Sequence, residues 1–217
     1  MPRLNYPVAG VIHLAAGLVA VAGVVALWLG GRGDVAKQFS LLIYGASLVA
    51  QYAASSAYHL INTSAAGLAV LRRLDHAAIF VLIAGSYTPM AFNVLSGGWR
   101  WGVLGGIWAI ALAGIAFKMA TLKTRRWVNV GIYLLMGWLG VFPALQILRL
   151  LPLAAFGWLL LEALFYTVGA VIYASKSLDF FPGRFGFHEI WHLFVIAGSL
   201  SHFLFVLLYV VPYARLN

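Results

Sequence analysis

Apolar runs long enough to cross a bilayer recur along this chain with little between them. A hydrocarbon core about 30 Å thick needs roughly 20 apolar residues of helix. Seven stretches meet that length: residues 8–29, 38–60, 74–95, 99–119, 127–148, 154–175 and 188–212. The connectors, such as GGRGDVAK, SGG and ATLKTRR, are too short to form a soluble domain. Backbone polar groups in lipid must find their partners within the protein, which favours helices here. The expectation is an all-α, polytopic membrane protein, one seven-helix transmembrane domain over residues 1–217. Composition agrees, because 64% of residues are hydrophobic and 9% charged, where a soluble domain carries roughly 25% charge. The first run is read as a span rather than a cleavable signal, since it is too long for a signal's apolar core.

The net charge of +9 does not indicate nucleic acid in so apolar a chain. Basic residues beside spans set orientation instead. The N-terminal side and the even-numbered connectors hold nine of them: Arg3, Arg72, Arg73, Lys118, Lys123, Arg125, Arg126, Lys176 and Arg184. The other side holds five: Arg32, Lys37, Arg100, Arg149 and Arg215. This bias places the N-terminus in the cytoplasm and the C-terminus outside. The chain has no cysteine, which excludes disulfides and thiolate metal sites.

Ionisable side chains within spans are costly unless paired, metal-bound or wet, so each is a functional candidate. They are His13, His59, Asp75, His76, Glu162, His188, Glu189, His192 and His202. His59 ends the second run, Asp75 begins the third, and His188 and His192 begin the seventh. All four therefore sit near the cytoplasmic face. His188 and His192 are four residues apart and stack on one helix face; Ser55 and His59 share that spacing. Three neutral imidazoles with an open position describe a catalytic zinc site, with Asp75 as an outer carboxylate that orients a ligand or accepts a proton. His13 and His76, taken singly, are read as packing residues rather than ligands, with His13, like Glu189, His202 and Glu162, kept as a possible auxiliary to the site.

His188-Glu189-Ile190-Trp191-His192 also matches the H-E-x-x-H pattern of zinc metalloproteases. Those enzymes take a further ligand from downstream. Here no Asp or Glu follows His192, and His202, ten residues on, is about 15 Å away along the axis. The third ligand must come from upstream, where His59 is best placed. Glu189 then has two readings, beside the reacting water or capping the helix start against the positive end of the dipole. The cap is favoured, because Asp75 already supplies a base.

The segments SSAYH (55–59), LRRLDHAAIFVLIAGSYTP (71–89) and FPGRFGFHEIWHLFVIAGSLSHF (181–203), together with His13 in GVIHLAAG, resemble the bacterial hemolysin III proteins. These form the prokaryotic branch of the progestin and adiponectin receptor family. The resemblance implies a multi-pass protein of the plasma (inner) membrane with seven transmembrane helices, the N-terminus inside, and zinc near the cytoplasmic leaflet. It implies His59, His188 and His192 as zinc ligands, Asp75 near the bound water, and Ser55 as the serine of the second-helix motif. The wider superfamily includes alkaline ceramidases, which hydrolyse amide-linked lipids, while hemolysin III members carry a cytolysin description.

Three functions follow. The first is a zinc-dependent amidohydrolase with a membrane lipid as substrate. The second is a pore-forming cytolysin, for which the chain offers no polar face from which to build a soluble form. The third is a receptor or membrane-state sensor with a structural zinc and a lipid as ligand. Separately, Glu162 and His202 lie about 12 Å and about 15 Å in from the outer ends of their helices. Similar depth allows a buried pair; the alternative is that Glu162 faces a wet cavity.

Overall fold

The computed structural model describes residues 6–181 and 185–215. Arg3 and Arg184 of the orientation tally, with Pro182 and Gly183 of the loop motif, lie outside the described residues. Eight α-helices occur among those described: α1 (Pro7–Gly30), α2 (Val35–Leu60), α3 (Ala65–Asn93), α4 (Gly97–Ala120), α5 (Arg126–Trp138), α6 (Ala144–Leu150), α7 (Leu153–Ser175) and α8 (Phe187–Phe205). Their starts follow from local chemistry. Pro7 opens α1, where its missing N–H costs nothing. The Asp34 side chain accepts the Lys37 N–H at the start of α2, and Ser64 accepts that of Gly67 at the start of α3.

Four segments are long and apolar enough to cross a membrane: α1, α4, α7 and Phe187–Val210, which is α8 continued by one π-turn. A fifth is reached if the pair Arg126–Val141 and Ala144–Leu150, bent by 45°, counts as one span. The run expected over 127–148 is thus broken. Pro143 cannot donate to the helical ladder, and the chain tightens to a 3-10 turn at Leu139–Val141 before α6. The Tyr87 hydroxyl donates to the Gly137 carbonyl near the break, which satisfies backbone that lipid could not.

The helices α2 and α3 are 26 and 29 residues long but less apolar, and the reason lies in what they bury. Ser40, Ser47, Gln51, Ser55, Ser56 and His59 of α2 are all buried. Asn93 of α3 donates to Ser40 across the pair at 2.8 Å, a polar link of the kind that joins helices in lipid. The third helix also starts nine residues before the expected 74, so Arg72 and Arg73 lie within it rather than in a connector. Those early turns are exposed or half-buried, and the adjacent Arg72 and Arg73 cut the otherwise apolar stretch AAGLAVL off from the run that follows.

The helices close a ring. Helix α1 packs on α2 and α8, α2 on α3, α3 on α4 and α5, α5 on α7, and α7 on α8. Large apolar side chains such as Leu18, Val19, Leu135, Phe142 and Leu153 are exposed on the outside, the surface a lipid solvent accepts. Lys37 ties the last turns down, its ammonium donating to the carbonyls of Val211 and Tyr213 at 3.0 and 2.6 Å. Inside the ring is a cavity of about 640 Å³, to which α4 contributes no lining residue.

Candidate metal centre

The helix pairs α1–α2 and α7–α8 bring the histidines together. Gly10 sets the first approach: a Cβ there would lie 2.9 Å from the Cβ of His59 and 2.7 Å from Cγ of Leu60. Without a side chain at residue 10, α1 lies directly against the end of α2. Across the ring, His188 and His192 project from consecutive turns of α8.

Ring nitrogens of His59, His188 and His192 all lie within 4.8 Å of one another. The ring centroids are 5.0 Å apart for His59 and His188, 5.2 Å for His59 and His192, and 4.7 Å for His188 and His192. His59 and His192 are buried. Tetrahedral zinc bound at about 2.0–2.1 Å spaces its nitrogens about 3.4 Å apart, so side-chain adjustments of an ångström or so bring the set to that geometry. Nδ1 of His188 is buried without a hydrogen-bond partner, as expected of an atom or ring awaiting a ligand. An all-imidazole set suits zinc among the first-row metals, though not zinc alone. The residues fit such an ion.

His13 belongs to this cluster rather than to generic packing. Its Nε2 is 2.9 Å from Nδ1 of His192, and its ring meets Tyr52 edge-on. With Nδ1 of His192 engaged, Nε2 of that ring is the atom left for a cation. Tyr6, in left-handed backbone geometry at φ 59°, stacks on His188 with centroids 4.1 Å apart. Tyr173 lies against the same ring at 5.7 Å, itself covered by the Arg126 guanidinium. Neither tyrosine was marked by the sequence reading. Tyr6 precedes α1 in left-handed geometry and Tyr173 stands in the apolar run of α7, so helical spacing marks neither.

Asp75 and Ser55 line the same cavity, but Asp75 stands outside the close nitrogen group. Among the described residues its carboxylate meets His76, with Nδ1 to Oδ2 at 3.5 Å. That Nδ1 lies 2.8 Å from the Arg72 carbonyl, an acceptor only, so the imidazole proton is spent there and the carboxylate is left with free lone pairs. Glu189 is buried, and its Oε2 accepts the Gly186 N–H at 2.9 Å. It therefore caps α8.

Ten residues beyond His192 on α8, His202 meets Glu162 of α7, with Nδ1 to Oε2 at 2.7 Å. Both line the cavity. The structure thus joins the two residues, and the carboxylate also faces the open interior.

Comparison with known proteins points to one family. The family model described as Haemolysin-III related matches residues 3–203. The chain is similar to the Hemolysin-3 homolog of Bacillus subtilis, 37% identical over 172 residues covering 79% of this chain and 78% of that protein. It is similar to Hemolysin-3 of Bacillus cereus, 34% identical over 183 residues covering 84% and 80%. A more distant relative is the adiponectin receptor protein of Drosophila melanogaster, 27% identical over 209 residues covering 86% of this chain and 47% of the fly protein. A chain matched by this model over nearly its whole length belongs to the haemolysin-III-related family.

Proposed function

We propose that this protein is a seven-span membrane zinc protein whose site hydrolyses the amide of a membrane lipid. The observation that carries the reading is three imidazoles with their nitrogens within 4.8 Å, set in the wall of a large, mostly apolar cavity enclosed by membrane helices. A seven-span count takes α2, α3 and the bent α5–α6 pair as spans beside the four apolar ones. The histidine end is read as cytoplasmic because Arg72 and Arg126 line the cavity beside it and most basic residues flank that end.

His59, His188 and His192 would hold the ion, with His13 fixing the His192 ring. When bound, zinc supplies Lewis acidity that polarises a carbonyl and acidifies water. Asp75, with carboxylate lone pairs to spare, takes up the proton released by the attacking water. Ser55, one turn before His59, donates a hydrogen bond to the amide carbonyl oxygen. The cavity wall accepts an acyl chain and excludes bulk water, which suits a substrate arriving sideways from the bilayer.

The test is metal analysis and turnover on the same purified protein. The expected result is about one zinc per chain, release of fatty acid from an N-acyl lipid, and loss of both in His192→Ala. Undiminished metal in that variant overturns the site. Intact metal with no turnover on any amide lipid points instead to a receptor or sensor. Liposome leakage that His192→Ala leaves unchanged points to a cytolysin.

A further inference from the structure

The metal reading uses one end of the cavity and leaves its opposite wall unexplained. Glu162 and His202 sit there, about 15 Å from His192 at 1.5 Å per residue along α8. Nε2 of His202 is 3.1 Å from the Ser86 carbonyl. A carbonyl only accepts, so Nε2 carries a proton and donates it. Nδ1 and the Glu162 carboxyl, 2.7 Å apart, then share one proton between them. Both nitrogens of the imidazole are committed, and His202 has nothing to offer a ligand.

Glu162 does. Its side chain is 18% exposed and lines the cavity, and a carboxylate has about four acceptor positions, of which His202 occupies one. Also on the cavity wall, Oε1 of Gln51 is buried without a hydrogen-bond partner, a second acceptor without a donor. An unsubstituted acyl chain laid along this wall strips water from the carboxylate and returns no hydrogen bond. A carboxylate or phosphate would meet like charge. The wall is complementary to a hydrogen-bond donor.

We propose that Glu162, held by His202, is a second ligand subsite that accepts a hydrogen bond from a hydroxyl or amine carried partway along a lipid chain whose head lies at the histidine cluster. The subsite rests on the reading that a lipid occupies this cavity, and it adds selectivity for a chain bearing a donor. Sites built to hydrogen-bond a hydroxyl discriminate strongly against the analogue lacking it, because the buried acceptor is left unpaired.

The test uses chains that cannot be hydrolysed. A long primary alcohol, its diol with the second hydroxyl about two-thirds of the way along, and a diol with that hydroxyl next to the head compete against a fluorescent fatty alcohol for the full chain in detergent. The expected result is that the mid-chain diol binds about tenfold or more tightly than the other two, and that Glu162→Leu/His202→Phe abolishes the preference while still binding all three. Equal affinity of wild type for the three chains overturns the proposal without reference to any variant. A preference that survives the double substitution overturns it also. Zinc content measured on the same samples separates the two readings: the subsite fails alone if metal is present and the chains bind without discrimination, and the lipid-cavity reading fails with it if no chain binds at all.

Discussion

His13 Nε2 lies 2.9 Å from Nδ1 of His192, joining residues 179 positions apart in sequence. For His192 to offer Nε2 to a cation, its Nδ1 must carry the proton and donate it to His13. His13 then carries its own proton on Nδ1, which is buried without a partner. The pairing fixes the tautomer and orientation of the ligating ring, as outer partners do at metal sites.

His13→Ala is therefore expected to weaken metal affinity about 10–100-fold while leaving the helical content unchanged. Chelator competition and the visible spectrum of the cobalt-substituted protein measure it. An unchanged spectrum and affinity would show that the pair has no bearing on the ion.

Gly10→Ala acts on the same geometry from the backbone. The new Cβ meets Cγ and Cδ2 of Leu60 at 2.7 and 2.8 Å and Cβ of His59 at 2.9 Å. Leu60 can rotate partly aside, but the His59 Cβ is fixed to its helix. Overpacking of this kind costs about 1–3 kcal/mol. The expected outcome is a lower melting temperature in detergent together with weakened metal retention. Lower stability with unchanged metal affinity would mean that α1 yields without moving His59.

Much of this site is legible in the sequence because helical spacing is rigid. His188 and His192 announce a shared face four residues apart, and Ser55 and His59 repeat it on α2. The third partner is found by elimination, since nothing acidic follows His192. Depth counting also matches Glu162 to His202. What the sequence hides are contacts made between helices by residues without a spaced partner. His13 looks like any lone histidine in an apolar run, and Tyr6 precedes its helix altogether. The break in the fifth run is hidden for another reason: the residues on either side of Pro143 stay apolar, so hydropathy continues where the hydrogen-bond ladder does not. The early turns of α3 are hidden because Arg72 and Arg73 interrupt the apolar run, although the helix continues through them.

Glu189→Ala separates the two roles open to that residue. Its carboxylate accepts the Gly186 N–H at 2.9 Å, and losing a helix cap costs about 0.5–2 kcal/mol. The melting temperature should fall while zinc content holds at the wild-type value. Loss of turnover without loss of stability would place the glutamate at the reaction instead.

Asp34 gives a pH signature away from the spans. Its carboxyl is held below the ordinary value of 3.8, first because the Lys37 N–H donates to it and then because Arg215 does. Arg215 reaches both oxygens, at 3.1 and 3.2 Å. A depressed carboxyl pKa contributes stability that is full above the ordinary value and is lost as pH falls through the lower folded value. Wild type should therefore melt above Asp34→Asn near neutrality, with the gap closing only below about pH 4. Because the pair is solvent-exposed in part, the gap should also shrink at high salt. A gap independent of pH would assign the difference to packing rather than charge.

The absence of native cysteine makes orientation directly measurable. Arg32 and Lys123 are both exposed in connectors, and they lie at opposite ends of the bundle, separated by α2, α3 and α4. Among the described residues, Arg72, Arg73, Lys118, Lys123, Arg125, Arg126 and Lys176 flank the histidine end, against Arg32, Lys37, Arg100, Arg149 and Arg215 at the other, and the Lys/Arg excess marks the cytoplasmic side. In intact cells a membrane-impermeant maleimide should label the Arg32→Cys chain and leave the Lys123→Cys chain unlabelled until the membrane is permeabilised. The opposite pattern would put the histidine cluster on the outer side and reverse the leaflet from which a lipid reaches it. Labelling of both chains in intact cells would mean that three spans do not separate them, so that α2 or α3 fails to cross despite its length.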